Sequence, residues 1–210
     1  MPDADPIPQA ESPDSAAPAR KRPKPGERRV QILQALATML EQPGAERITT
    51  AALAGRLQVS EAALYRHFAS KAQMFEGLID FIEQSVFTLI NQIQERQAGE
   101  PLRQAAAIAT LLVQFAERNP GMTRVMVGDA LVYENERLQQ RMNQFFDRIE
   151  STLKQCLRTD SAPSSTPTVD AQVRASLLTA FVVGRLQRFA RSGFKRMPSE
   201  HLEDSLARIL

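Results

Sequence analysis

The fold is decided by residues 48–71, which read ITTAALAGRLQVSEAALYRHFASK. In the first half, apolar residues recur at helical spacing, namely Leu53, Ala54 and Leu57. Thr49 or Thr50 can begin that helix, because a side-chain oxygen at the first position accepts a backbone N–H that otherwise lacks a partner. The pair Gln58-Val59 is too short for anything but a turn, so a second helix follows at once.

The second half of this stretch predicts a short helix with two different faces. Ser60 is its expected N-cap. The inward positions are apolar: Ala63, Leu64 and Phe68. The outward positions are small at first and hydrogen-bonding later: Glu61, Ala62, Tyr65, Arg66 and His67. Such a face suits a helix that lies close to the floor of a DNA groove, so we predict a helix-turn-helix with its recognition helix at about residues 61–67. An ordinary helical hairpin in a bundle has the same spacing.

The charge distribution favours DNA binding over the plain hairpin. Residues 20–75 carry ten lysines and arginines against four acidic residues, a net charge of +6. By contrast, residues 1–19 carry four acidic residues and no basic ones, and residues 76–210 carry sixteen of each sign. Positive charge is therefore concentrated around the motif, as a phosphate-binding surface requires.

Individual roles in DNA binding follow from side-chain chemistry. Tyr65 and His67 can donate to phosphate oxygens, and Arg66 can reach a guanine edge or a phosphate. Lys71 lies at the start of the next helix, where free N–H groups also favour a phosphate. The two alanines are small enough for the helix to sit deep in the groove, and a methyl group can contact thymine. The predicted DNA-binding set is Thr49, Thr50, Ser60, Ala62, Ala63, Tyr65, Arg66, His67 and Lys71.

The sequence divides into a tail and two domains. Residues 1–25 contain seven prolines and few apolar side chains, which predicts a disordered tail. Its basic end, residues 20–24, is either part of a solubilising tail or an arm that follows phosphates. Residues 26–75 form the predicted DNA-binding domain, and residues 76–210 a helical domain for dimerisation and partner binding.

Outside the motif, the pattern predicts helices only. Helix one is expected at about residues 27–42. Helix four starts at the capping pattern of residues 70–73 and continues to about residue 96 as a lever between the two domains. The next helix is expected to end near residue 118. Three more are expected at about residues 122–128, 133–157 and 170–192, and Ser199 is the expected N-cap of a last helix that ends at Leu210. The predicted fold class is all-α.

The helix at about residues 170–192 is apolar on several sides, so it needs partners on more than one side. We therefore predict a homodimer. Its interface is predicted to involve Leu178, Phe181, Val182, Gly184 and Leu186, with the glycine permitting close approach of a second helix.

Little in the sequence suggests catalysis. The two histidines are far apart, and no phosphate loop, nucleophile elbow or metal-ligand spacing is present. Glu134 and Glu136 are interpreted as surface charges, and Cys156, on an apolar helical stripe, as a buried inert thiol. The single cysteine and the lack of an apolar run of membrane-spanning length predict a cytoplasmic protein without membrane insertion. We expect no enzyme activity and no cofactor.

The run VSEAALYRHFASK at residues 59–71, followed by Met74-Phe75, resembles the DNA-binding domain of the TetR family. Residues 117–121 (ERNPG) and 137–144 (RLQQRMNQ) resemble one branch of that family, the nucleoid occlusion factors. The resemblance covers roughly residues 28–196. It implies a TetR-like dimer that binds palindromic double-stranded DNA and is associated with the nucleoid.

The resemblance also implies a protein partner. When bound to DNA, that branch antagonises the tubulin-like division protein FtsZ. The positions matching its partner surface are Phe81, Leu89, Leu111, Arg118 and Asn119. The chain departs from the branch at Leu89, where an arginine is familiar, and at Gln114 and Ala116, where glycines are. Phe81 alone is equally compatible with the core. The alternative function is that of a TetR-type repressor released from DNA by a small molecule.

Overall fold

The structure, a computed structural model, describes residues 26–42, 48–158 and 166–210. The described ranges contain helices and no strand, which confirms the all-α prediction. The α-helices are α1 (Glu27–Leu40), α2 (Thr50–Leu57), α3 (Glu61–Tyr65), α4 (Lys71–Arg96), α5 (Pro101–Arg118), α6 (Pro120–Met126), α7 (Glu136–Leu157), α8 (Pro167–Arg191) and α9 (Leu202–Ile209). A single 3-10 turn, Asp129–Leu131, joins α6 to α7. The predicted tail and its basic arm lie outside the described residues.

Helices α1 to α3 form the reader, by which we mean residues 26–70 as far as they are described. Its core is apolar and includes Leu36, Leu53, Leu64 and Phe68, each about 1% exposed. The prediction that Phe68 faces inward is therefore confirmed. The guanidinium of Arg29 stacks over the Phe68 ring at 4.0 Å from its centroid, so the basic side chain covers the aromatic core residue.

Helix α4 runs without a break from the reader into the rest of the chain, as predicted. Ser70 caps it by accepting the N–H of Gln73 at 3.2 Å, and Gln73 in turn accepts the N–H of Ala69 at 2.9 Å. Helices α5, α7 and α8 pack against one another and α4 packs against α5 and α7, giving one continuous core with the reader. We call this C-terminal part the bundle.

Several helix boundaries differ from the predictions by a few residues, and in two of them a polar group takes a different partner. Helix α7 begins at Glu136 and not near residue 133, since the Asn135 side chain accepts the N–H of Arg137 at 3.1 Å. Helix α9 begins only at Leu202, because the Ser199 N–H donates to the Glu117 carboxylate at 2.9 Å. Helix α8 begins earlier than predicted, at Pro167, a residue that suits the first helical position.

The predicted dimer interface needs correction. Leu178, Val182 and Leu186 are at most 1% exposed and lie in the core of their own chain, so they cannot meet a second copy. Phe181 is half-buried, beneath the guanidinium of Arg185. Of the five predicted residues, Gly184 alone faces open space, because a Cβ added there would meet nothing within 4 Å.

The exposed side of α8 is instead apolar in its first half. Val169, Val173 and Leu177 are 52–58% exposed. Together with the exposed Ala180 and with Gly184 they follow one another at spacings of three or four residues, which places them on one side of the helix. We call these five residues the α8 stripe. The sequence predicted that α8 needs partners on several sides. In the structure, the core of the same chain covers the sides that carry Leu178, Val182 and Leu186.

Candidate nucleic-acid interface

The turn between α2 and α3 is held by hydroxyl groups that were predicted to bind DNA. Thr49 caps α2 by accepting the N–H of Ala52 at 3.2 Å, and Ser60 caps α3 by accepting the N–H of Ala63 at 3.3 Å. The Thr50 hydroxyl donates to the Glu61 carboxylate at 2.5 Å, which ties the start of α2 to the start of α3. These side chains therefore have structural roles that do not depend on DNA.

The recognition helix is shorter than predicted. Helix α3 ends at Tyr65 and not at residue 67, because the N–H groups of His67 and Phe68 both donate to the Leu64 carbonyl and close a turn there. Arg29 reinforces this turn by donating to the His67 carbonyl at 2.8 Å. The sequence indicated a continuous helical face through His67, whereas the structure places Arg66 and His67 in the turn that follows α3.

The side chains on the outer face of α3 are nevertheless accessible. Tyr65 is 43% exposed, and Ala62, Arg66 and His67 are also exposed, while Ala63 is half-buried. Arg66 and His67 extend from the turn after α3. The face thus begins with small side chains and ends with an aromatic hydroxyl, a guanidinium and an imidazole. This order lets the first turn approach a groove while the later groups reach phosphates or base edges.

Lys71, predicted to bind a phosphate, is already paired in the structure. Its ammonium group makes an ion pair with the carboxylate of Glu134, which precedes α7. The Glu134 side chain is only 10% exposed, so its interpretation as a surface charge was wrong. The sequence carried no signal for this pair, because 63 residues separate its members.

The pair belongs to a larger set of ion pairs between α4 and α7. Arg137 pairs with Glu76 at 2.6 Å, and Arg141 pairs with Asp80 at 2.8 Å and with Glu83 at 2.6 Å. Burial alone would lower the pKa of Arg141, but the hydrogen bonds to the two carboxylates outweigh it and raise the pKa above its usual value. Together with the Lys71–Glu134 pair, these contacts form what we call the charge ladder.

The predicted partner residues fall into two groups. Phe81 and Leu89 are 48% and 39% exposed on α4, so the alternative that Phe81 belongs to the core is wrong. Leu111 is half-buried and Arg118 exposed, and both lie on one side of α5. The Asn119 amide donates to the Phe115 carbonyl at 2.8 Å and thereby helps to end α5.

A groove between α5 and α9 was not predicted. Its cavity volume is about 690 Å³, and its walls are mainly apolar. Leu111 lies in the groove, as do Ile93 from the end of α4 and Leu206 and Leu210 from α9. The spacing of Leu202, Leu206 and Leu210 was the available signal, since it marks an apolar side of the last helix. The groove continues the face of α4 that carries Leu89, four residues before Ile93.

The structure also bears on the cysteine, on metal ligands and on membrane-spanning helices. Cys156 is 5% exposed, and burial raises the pKa of its thiol. Within the described ranges, no group of three His, Cys, Asp or Glu side chains is arranged to hold a metal ion. None of the helices in these ranges is both long and apolar enough to cross a membrane.

Comparison with known proteins identifies the family. Residues 32–78 match the family described as bacterial regulatory proteins, tetR family, and residues 100–209 match the tetracyclin repressor-like, C-terminal domain of the SlmA-like type. Solved TetR-like structures share the fold. A transcriptional regulator from Rhodococcus sp. Rha1 has a TM-score of 0.66 at 21% identity, over 86% of this chain and 92% of that chain. The regulator FadR from Bacillus halodurans has a TM-score of 0.70 at 11% identity, over 90% and 97%.

Curated relatives are much more similar in sequence. The nucleoid occlusion factor SlmA of Idiomarina loihiensis is 54% identical over 83% of this chain and 89% of its own length. SlmA of Vibrio cholerae is 52% identical over 84% and 91%, and SlmA of Aliivibrio fischeri strain MJ11 is 50% identical over 87% and 93%. Since these matches span both the reader and the bundle, the chain belongs to the TetR family and, within it, to the nucleoid occlusion factors of the SlmA type.

Proposed function

We propose that this protein binds palindromic DNA on the nucleoid as a homodimer and, when bound to DNA, inhibits the assembly of FtsZ. The observation that carries the proposal is the identity of 50–54% with SlmA proteins across both the reader and the bundle. The exposed outer face of α3 supports the DNA-binding part, and the exposed side chains of α4 and α5 support a protein partner.

The reader is proposed to use its outer face in two ways. Ala62 lets α3 approach the major groove closely, while Tyr65, Arg66 and His67 reach phosphates or base edges. Loss of a base contact costs about 1–3 kcal/mol of discrimination between sequences, whereas loss of a phosphate contact weakens binding to all sequences alike. Because Tyr65 is proposed to donate to a phosphate, Tyr65→Ala is expected to lower affinity for cognate and unrelated duplexes by the same factor, measured by fluorescence anisotropy. Unchanged affinity for both duplexes contradicts this role.

Dimerisation is proposed to use the α8 stripe. Its leucine and valine side chains are more than half exposed, and burying them against a second copy removes apolar surface from water. Leu177→Glu is expected to give monomers that bind a single half-site weakly. Gln155→Glu, at an exposed position of α7, provides a control that adds the same charge outside the stripe. A Leu177→Glu protein that remains dimeric in sedimentation velocity contradicts this interface.

The partner surface is proposed to combine the exposed side of α4 with the end of α5. Phe81 and Leu89 offer apolar area, and Arg118 offers a charge that makes no ion pair with the described part of the chain. Aromatic and arginine side chains are the usual anchors of protein interfaces. The groove beside Leu111 extends this surface toward α9.

The test is sedimentation of FtsZ polymers with the purified protein, with and without the cognate duplex. We expect less FtsZ in the pellet only when protein and duplex are both present. Arg118→Asp is expected to remove this effect while leaving DNA affinity unchanged. Arg96→Asp, at the opposite end of the bundle, is the matched control and should behave as the unmodified protein. An effect of Arg118→Asp on DNA affinity equal to its effect on FtsZ contradicts a separate partner surface.

The groove also supports the alternative of a repressor released by a small molecule, because about 690 Å³ lies within the usual size range of ligand pockets. The two functions give different outcomes in the same assay. If FtsZ sediments normally with protein and duplex present, and an apolar metabolite lowers DNA affinity, the repressor function is favoured. Leu206→Arg, which places a charge in the groove, would then prevent release of the DNA.

A further inference from the structure

We propose that four basic side chains within residues 188–196 form a second phosphate-binding surface, outside the reader. This surface contacts the DNA backbone without regard to sequence. The inference rests on the proposed function in two respects, since it requires a homodimer and a bound duplex. It goes beyond that function by assigning DNA contacts to the end of α8 and the loop that follows, neither of which belongs to the helix-turn-helix.

The segment is the densest run of positive charge in the bundle. Residues 185–196 contain five basic side chains and no acidic one. Arg185 is used within the chain, because it donates to the Pro198 carbonyl and to the Ser205 hydroxyl, both at 2.9 Å. The other four make no ion pair with any part of the chain that the structure describes, namely Arg188, Arg191, Lys195 and Arg196. These four residues are what we call the basic segment.

The backbone holds this segment in one conformation. The Ser192 hydroxyl accepts the N–H groups of Lys195 at 3.1 Å and of Arg196 at 2.9 Å. Phe194 adopts a left-handed backbone conformation with φ of 65°, and its ring packs edge-on against Phe189 at 5.1 Å. A loop that is already ordered loses less entropy on binding, so its charges are positioned for a ligand in advance.

Two of the basic side chains meet at a cavity. Arg188 and Arg196 line a space of about 240 Å³ together with His201 and Glu200. Arg185 lines the same space, so three arginines surround it against the single carboxylate of Glu200, and the local charge is positive. Guanidinium groups bind phosphate through paired hydrogen bonds, so a phosphate group suits this place well.

The segment lies at the end of the bundle that joins the reader. The guanidinium of Arg124, on α6, lies 5.3 Å from the centroid of the Phe194 ring. Helix α6 in turn packs directly on α1 of the reader. A single helix, α6, therefore lies between the basic segment and the reader.

The proposed dimer brings two copies of the segment together. Arg188 and Arg191 follow Gly184 by four and seven residues, so they continue the side of the helix that carries the α8 stripe. When two copies of α8 pair along that stripe, the arginines of both copies lie at its end near the two readers. A duplex bound by paired readers passes this end between its two half-sites, and its phosphates offset the repulsion between the arginines. This placement favours DNA over an acidic protein as the ligand.

The test is the salt dependence of DNA affinity for the full-length double variant Arg191→Gln/Lys195→Gln. Each phosphate contact contributes about 0.9 to the slope of log affinity against log salt concentration. The variant removes two such contacts from each protomer, so the slope is expected to fall by about 3.6 per dimer. Affinity for cognate and unrelated duplexes should fall by the same factor, so the ratio between them stays constant.

The matched control is Arg96→Gln/Lys154→Gln, which removes the same charge from the opposite end of the bundle. Its slope should equal that of the unmodified protein, and an equal reduction in both variants overturns the proposal. Arg191→Lys/Lys195→Arg retains the charges and should retain the slope, which separates lost contacts from altered folding. If the slope is unchanged in Arg191→Gln/Lys195→Gln but FtsZ inhibition is lost, the ligand is an acidic protein and the proposal is wrong. If the unmodified protein binds no duplex, the proposed function itself fails.

Discussion

Two joints of different physics hold the reader in place. One lies between α1 of the reader and α6 of the bundle, and the other lies within the bundle, between α7 and α4, the helix that continues from the reader. At the first, α6 lies on α1 so closely that a Cβ built at Gly121 would be 1.9 Å from the Ala37 carbonyl oxygen. At the second, α4 and α7 are joined by the charge ladder, whose members are 10–56% exposed. The first joint is steric and nearly dry, whereas the second is electrostatic and accessible to water and salt.

This difference suggests that the two joints have different roles. A close-packed contact has one arrangement and resists any change of volume. Ion pairs that reach solvent weaken with salt and can exchange one partner for another of the same charge. We therefore propose that the steric joint sets the position of the reader and that a DNA phosphate alters the ionic joint.

The largest effect is expected from breaking the steric joint. Gly121→Ala places a methyl group against backbone, which cannot move aside as a side chain can, so α6 must shift away from α1. Overpacking of this kind costs about 1–3 kcal/mol of unfolding free energy, and at times more. Urea denaturation followed by circular dichroism measures it.

The matched control is Gly55→Ala in α2, where a Cβ would meet nothing within 4 Å. It should stabilise the protein by about 0.5–1 kcal/mol, because alanine favours a helix over glycine. Equal effects of the two substitutions would show that the joint is less tightly packed than its geometry indicates.

The two joints also differ in how far the sequence could predict them. Helix α4 was placed from its capping pattern and apolar spacing, because both are local signals. That Gly121 touches Ala37 was not predictable, since 84 residues separate them along the chain. The partners that α4 supplies to the charge ladder were not predictable either, since 58 to 63 residues separate them from the partners that they meet.

The candidate DNA-binding site and the dimer interface were also only partly predictable from the sequence. The caps Thr49 and Ser60 and the outward position of Tyr65 follow from local pattern, and the structure agrees with them. By contrast, Leu178, Val182 and Leu186 were assigned to the wrong side of α8. A helix that is apolar all round does not reveal which side the core takes, because hydrophobicity is the same signal for a core and for an interface. That choice depends on α7, whose position the sequence of α8 does not contain.

A smaller effect is expected at the middle of the charge ladder. Arg141→Gln removes the ion pairs with Asp80 and Glu83 and leaves two neighbouring carboxylates without a cation. Partly exposed pairs contribute about 0.2–1 kcal/mol each, so we expect a loss of about 1 kcal/mol at low salt. In 1 M salt the loss should largely disappear, because the Debye length is then only about 3 Å.

Arg137→Gln, which removes a single and more exposed pair, is the control and should cost less under both conditions. Gly121→Ala measured at the same two salt concentrations should show no such dependence. A salt-independent loss for Arg141→Gln would mean that its packing, and not its charge, holds α7 to α4, and the contrast between the joints would fail.

The smallest effect is expected where the charge ladder meets the reader. The Lys71 ammonium is paired with Glu134, yet it also lies at the N-terminus of α4, where a phosphate can bind. If a phosphate replaces Glu134 as the partner of Lys71, the Glu134 carboxylate competes with DNA binding. Glu134→Gln should then raise DNA affinity severalfold at low salt. The free energy of unfolding should change by less than about 1 kcal/mol. Lys71→Gln should lower affinity, and in the double variant the effect of Glu134→Gln should vanish, because no ammonium is left to release. A gain that persists in the double variant would instead reflect general repulsion between Glu134 and DNA, and Lys71 would then have no part in sensing the phosphate.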